Sequence, residues 1–237
     1  MLWGLRPVQQ QAAYGIAVDR LKRQIHMGLL LPGDQFPAER KLAEDIGISR
    51  VTLREALRVL ESERYIFTKR GARGGTFIAA VEVLDDIAYR LITRSPATML
   101  RALEFRQANE TTAARLACER RLLPDLKAMR NAIGDMKKAA LPGEFRRSLT
   151  LFHLAIGAAS HNPFINDAVE HGLAEMFLPT LGPDSEDAYE GVVPVYQQLL
   201  DAVEARQADI ATASIEQLIS RDRNRLHNLN KASQSVR

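Results

Sequence analysis

The stretch from Pro37 to Ile78, PAERKLAEDIGISRVTLREALRVLESERYIFTKRGARGGTFI, restricts the fold more than any other part of this chain. Leu42, Ala43 and Ile46 share one face of a short helix expected from about Ala38 to Ile46. Gly47 then stands where a helix C-terminus takes a left-handed residue. Ser49 is placed to cap a second helix, its hydroxyl accepting from a first-turn N–H. That helix carries Leu53, Ala56, Leu57 and Leu60 on its apolar face. Arg50, Arg54 and Arg58 recur at i, i+4 and i+8 on the other side. Tyr65–Phe67 and Thr76–Ile78 read as two short strands, with Lys69, Arg70 and Arg73 set among Gly71, Gly74 and Gly75 between them. Two helices, a Gly turn and a Gly-rich hairpin, in that order, make a winged helix-turn-helix. This motif lays one helix into a DNA major groove and a basic loop against the phosphates.

Simpler readings account for some of these residues. Arg58 lies near Glu55 and Glu61 and reads as a solvated face. GARGGT lacks the Lys-Ser/Thr ending of a phosphate-binding loop.

Charge divides the chain. Residues 1–80 hold 13 Lys/Arg against 8 Asp/Glu, and the remainder holds 19 against 21. A basic first domain (1–80) followed by a near-neutral second (81–237) suits a DNA reader that carries a sensor. The single cysteine, Cys118, excludes an internal disulfide and reads as a small buried residue. No signal peptide and no apolar run of spanning length are visible, so the expectation is a cytoplasmic protein without a membrane partner.

The rest of the chain reads as helices. Gln9 to about Met27 forms one before the motif, and Val81–Arg94 leads out of it. Then come Pro96–Leu123, Leu126–Ala140, Glu144–Ser160, Pro163–Leu181, Ser185–Arg206 and Gln207–Leu229. Pro179 and Pro194 are expected to kink or end their helices. The predicted fold is mainly α: a winged helix-turn-helix, then an antiparallel bundle with ligand space between facing helices.

Phe36–Ala43 followed by Ser49–Leu57 resembles the P-x-E-R-x-L-A…S-R-x-T-x-R-E-A-L pattern of the GntR family of bacterial regulators. The resemblance implies DNA contacts from Arg40, Ser49, Arg50, Thr52, Arg54, Arg70 and Gly71; the basic loop adds Arg73. Ala38 departs from the usual capping Ser, and Arg64 from the usual Gly. Leu103–Glu110 with Ala113–Ala117, and Leu151–Ile156 with Ala159–Pro163, resemble the FadR-like branch with its FCD effector domain.

Many FCD domains hold a divalent metal with one Asp and three His. In this chain only His153 stands at a matching position. Leu149 lacks any donor, and Tyr196 and Gln217 fall at the other two, so no metal and no cofactor are expected.

What remains is a pocket for an organic effector, assigned to Arg106, Glu110, His153, Tyr196 and Gln217. The resemblance implies that Arg106 faces the cavity and pairs with a ligand carboxylate, as a guanidinium fork suits; the other reading is that it pairs with Glu110 one turn on. His153 is either a ligand contact or a satisfied core histidine. No nucleophile–base–orienter set is present, so no catalytic residues are assigned and the chain is not expected to be an enzyme.

The expected protein is a homodimeric repressor. It binds double-stranded DNA at a short pseudo-palindromic operator and is released by a small anionic metabolite. The alternative is a regulator with a degenerate sensor, controlled by a protein partner or by abundance.

Overall fold

The computed structural model describes residues 13–71, 74–180 and 191–235, with side chains to Lys231. The chain separates into two compact units. One comprises residues up to Arg23 with Gly33–Ala79, and the other Gln24–Pro32 with Ala80–Arg237.

In the first unit, α1 (Ala13–His26), whose residues from Gln24 belong to the second unit, precedes α2 (Glu39–Ile46) and α3 (Arg50–Ser62). Leu42 and Ala43 of α2 and Leu53, Ala56, Leu57 and Leu60 of α3 are buried, as their spacing demands. Gly47 ends α2 at φ 71°, and its N–H returns to the carbonyls of Ala43 and Glu44. Any side chain at that φ is strained, so glycine belongs there. Strands β1 (Ile66–Lys69) and β2 (Gly75–Ile78) pair antiparallel, Ile66 opposite Ile78 and Lys69 opposite Gly75. Phe36 N–H donates to the Thr76 carbonyl at 2.9 Å, so the segment before α2 joins β2 on its other edge.

Arg64, between α3 and β1, adopts φ 68°. A non-glycine residue in this left-handed region costs roughly 1–2 kcal/mol. Arg64→Gly should therefore raise the thermal midpoint of this unit. A midpoint that falls would mean that the contacts of the arginine outweigh its backbone strain.

The second unit is all helical: α4 (Val81–Arg94), α5 (Pro96–Arg120), α6 (Leu123–Lys138), α7 (Pro142–Ala159), α8 (Pro163–Glu175), α9 (Val192–Glu204) and α10 (Ala208–Ser235). α5 is the central helix and packs on α7, α8, α9 and α10. Ala113, Ala114 and Ala117 are fully buried on it, their small side chains admitting neighbours on several sides. Cys118 is buried too, its thiol pushed up mainly by desolvation. Residues 24–32 dock on α7, where Thr150 Oγ1 donates to the Met27 carbonyl at 2.6 Å and Arg146 Nη2 to the His26 carbonyl at 2.6 Å.

Several boundaries differ from expectation. α8 ends at Glu175, not Leu181, because the residue before Pro179 resists helical backbone. Pro124 and Pro194 lie inside the first turns of α6 and α9, where the missing N–H has no helical partner to lose, so Pro194 does not end its helix. α10 runs on to Ser235, six residues past the expected end. The expected helical start at Ser185, and the residues before Ala13 in the first predicted helix, lie outside the described residues. Among the described residues, no helix is long and apolar enough to cross a membrane.

Candidate nucleic-acid interface and ligand cleft

Ser49 caps α3 as its position suggests. Its Oγ accepts from Thr52 N–H at 3.1 Å and lies 2.8 Å from Thr52 Oγ1. Those bonds fix the first turn of α3, from which Arg50 and Arg54 project into solvent. Arg54 Nε donates to Glu39 Oε2 of α2 at 2.8 Å, which holds the guanidinium against the preceding helix. Arg40 is exposed, with Glu44 at a loose 3.8 Å one turn on. On the hairpin, Phe67 and Phe77 stack at 5.6 Å, and Lys69 Nζ lies 5.4 and 5.3 Å from their centroids. Arg70 and Gly71 are exposed, Gly71 at φ 110°. Arg73 lies outside the described residues. Arg40, Arg50 and Arg54 are thus each exposed on this unit, Arg40 and Arg54 with a carboxylate beside them.

The helical unit contains a cleft of about 90 Å³, lined in part by Arg106, Arg146, His153, Tyr196, Asp222 and Arg225. Its centre is a charge network. Arg106 Nε donates to Glu110 Oε1 at 2.7 Å, and Nη1 donates to Asp222 Oδ2 at 2.7 Å. His153 bridges the other side, with Nδ1 2.8 Å from Glu110 Oε2 and Nε2 2.8 Å from the Tyr196 hydroxyl. Arg106 and Glu110 are almost wholly buried, whereas the Asp222 side chain is 31% exposed. Gly172 of α8 makes room for this arrangement, since a Cβ there would stand 2.7 Å from Arg106 Cγ.

Electrostatics follow from this geometry. Burial alone would raise the Glu110 carboxyl, but Arg106 and then His153 outweigh it and hold the group at about 2. Burial alone would lower the Arg106 guanidinium, yet Glu110 and Asp222 keep it firmly charged. Burial, with Asp222 adding to it, lifts the Tyr196 phenol well above its ordinary range, so it remains a neutral hydroxyl.

The expected pocket residues separate. Arg106, His153 and Tyr196 meet at the cleft. Glu110 lies behind Arg106 and is fully buried, so it is a partner of Arg106 and not a cleft contact. Gln217 is exposed on α10 and outside the cleft lining. Asp222 and Arg225 line the cleft from α10 instead, with Arg146 from α7. A signal for Asp222 was present: Ile215, Leu218, Asp222, Leu226 and Leu229 recur at helical three- and four-residue steps, and Gln217 falls off that stripe.

These residues do not fit a metal. Leu149 lines the cleft without a donor atom, the Tyr196 hydroxyl is spent on His153, and a guanidinium occupies the polar centre. Among the described residues, no group of three or more His, Cys, Asp or Glu side chains is placed to hold an ion. Elemental analysis of the purified protein is expected to find no stoichiometric zinc or nickel, and chelators should leave its DNA binding unchanged.

A winged helix-turn-helix unit joined in one chain to an all-α unit with a polar cleft defines a class of DNA-binding transcriptional regulators. Residues 13–78 match the model described as bacterial regulatory proteins, gntR family, and residues 101–221 match the FCD domain. The chain belongs to the GntR family, in its FCD-containing branch, whose members are transcriptional regulators and not enzymes.

It is 30% identical over 217 residues to an Escherichia coli K12 protein named for regulation of the L-lactate dehydrogenase operon, covering 81% of this chain and 77% of that one. It is 30% identical over 161 residues to LutR of Bacillus subtilis strain 168, covering 66% and 72%. With RmpR of Mycobacterium gastri it shares 29% over 153 residues, 64% of this chain and 56% of that relative, so it spans little more than half of RmpR. Among solved structures, a GntR regulator from Rhodococcus sp. RHA1 matches with TM-score 0.52 at 14% identity, covering 92% of this chain and 99% of that one. E. coli McbR/YncC matches with TM-score 0.50 at 21% identity, covering 92% and 99%. At these identities the structural likeness is one of fold.

Proposed function

We propose that the chain is a homodimeric repressor that reads a short pseudo-palindromic operator and loses affinity for it when a small anionic metabolite enters the cleft of the helical unit. The observation that carries this reading is the cleft lining, in which, among the described residues, three arginines, Arg106, Arg146 and Arg225, meet one carboxylate, Asp222. Such a lining favours an anion, and guanidinium forks suit carboxylates and phosphates. The domains divide the work near residue 80, with the winged module reading DNA and the helical unit sensing and dimerising. One recognition helix reads few base pairs, so a two-fold pair doubles the site. The relative named for the L-lactate dehydrogenase operon suggests small hydroxy acids for the first trials.

The test is a footprint of the purified protein across its own genomic neighbourhood, followed by titration of the bound operator with metabolite acids. Release by one acid at micromolar to millimolar concentration is the expected result. A second reading, a regulator with a silent sensor, is favoured by the internal neutralisation of Arg106. Operator binding that no acid alters would select it.

A further inference from the structure

Val51 is 67% exposed in the first turn of α3, the helix whose Leu53, Ala56, Leu57 and Leu60 are buried. With roughly 3.6 residues per turn, it stands about 170° around the helix from the middle of that buried stripe. It therefore packs no core, and as a β-branched residue it lowers the helix propensity of an exposed position. A lone exposed valine on an ordinary surface calls for no explanation. This one occupies the face that α3 turns away from its own core. Arg50 precedes it, Arg54 follows one turn on, and both are exposed. The Ser49 cap, which accepts from Thr52 N–H at 3.1 Å, fixes the turn that carries all three. Unlike the arginines, a valine side chain neither donates nor accepts a hydrogen bond, so what it can recognise is an apolar group.

We propose that Val51 is a specificity-determining residue that reads the 5-methyl group of a thymine in the operator, beside the bases contacted by Arg50 and Arg54. This rests on the reading of α3 as the helix that enters the major groove. It goes beyond that reading by naming a base that the arginines do not select. Of the four bases, thymine alone presents a methyl group in that groove, and small apolar side chains are its partners. Valine in a helix is held to one preferred rotamer, so the contact costs little side-chain entropy. An arginine fork selects guanine, and the valine beside it selects a neighbouring thymine. Burial of one methyl contributes about a fourfold gain in affinity, and the two half-sites of a pseudo-palindrome together contribute about sixteenfold.

The test uses full-length protein and the duplex that it selects from a random-sequence library. Each thymine is replaced in turn by deoxyuridine, which removes the methyl group and leaves Watson–Crick pairing intact. At one position per half-site this change should weaken wild type about fourfold, and about sixteenfold when both half-sites carry it. Val51→Ala should bind the thymine and uracil duplexes alike, and the thymine duplex at least fourfold more weakly than wild type does. Val51→Thr keeps one γ-methyl and should retain a thymine preference that Val51→Ala lacks. The melting midpoint of Val51→Ala should match or exceed that of wild type, since alanine is the better helix former at an exposed site.

Uracil substitutions that never weaken wild type, or that weaken Val51→Ala as much as wild type, would overturn the proposal. A midpoint that falls in Val51→Ala would make Val51 a packing residue and overturn it too. In each case a selected sequence that Arg54→Ala no longer prefers leaves the major-groove reading of α3 standing. If the library yields no preferred sequence, that reading and the role of Val51 fall together.

Discussion

Glu110→Ala is expected to destabilise the helical unit by about 3–5 kcal/mol, the usual cost of removing one partner from a buried ion pair. Glu110 is the hub of the network: it accepts from Arg106 through one oxygen and faces His153 through the other, and it is fully buried. Removal leaves Arg106 with only the half-exposed arm of Asp222. Since whole domains are stable by about 5–15 kcal/mol, the variant should unfold early in urea or be recovered poorly. Arg106→Ala should behave alike, because it strands Glu110. It is therefore a poor test of ligand binding.

The pH dependence follows from the same group. The Glu110 carboxyl lies at about 2 in the folded chain against 4.5 in its ordinary state. A depressed carboxyl stabilises the fold fully above 4.5, and that contribution fades as pH falls from about 4.5 toward 2. Urea midpoints measured through this window should drop steeply for wild type and more shallowly for Glu110→Gln, which carries no titrating charge there. A Glu110→Ala variant less than about 1 kcal/mol weaker than wild type would show that the network does not sustain the bundle.

Arg50→Ala and Arg54→Ala are expected to lose operator preference as well as affinity. An Arg that forks a guanine contributes about 1–3 kcal/mol of discrimination, roughly a 5- to 150-fold loss in the ratio of operator to random DNA. Ser49 fixes the turn that carries both residues, and Glu39 holds Arg54 through Nε, leaving both Nη groups outside that bond. Glu39→Ala should loosen Arg54 and lower the same ratio by a smaller factor. Arg73→Ala should instead weaken all DNA equally and flatten the salt dependence, as a phosphate contact does. Competition assays with operator and scrambled duplex at two salt concentrations separate these outcomes. An unchanged operator preference in Arg54→Ala would move the reading face elsewhere.

The local rules in the sequence determined the winged module almost completely. Ser49 as a cap, Gly47 as a left-handed stop and the buried stripe of Leu53, Ala56, Leu57 and Leu60 act over one or two turns and are visible without tertiary context. The helical character of the second unit was legible for the same reason, through periodicity and Pro at helix starts. Arg106 with Glu110 was legible as an i, i+4 pair.

The stripe through Ile215, Leu218, Leu226 and Leu229 marks the face that Asp222 shares, but its pairing with Arg106 was decided by packing. Asp222 reaches Arg106 across 116 residues, and which residue of α10 faces α5 depends on the rotation of one helix against the other. Five residues turn a helix by about 140°, enough to carry Gln217 to solvent and Asp222 into the cleft. Family pattern pointed to the first, and tertiary contact selects the second. The cleft's charge balance was likewise a tertiary result, because Arg146, Asp222 and Arg225 come from two helices and meet only when the bundle closes around α5.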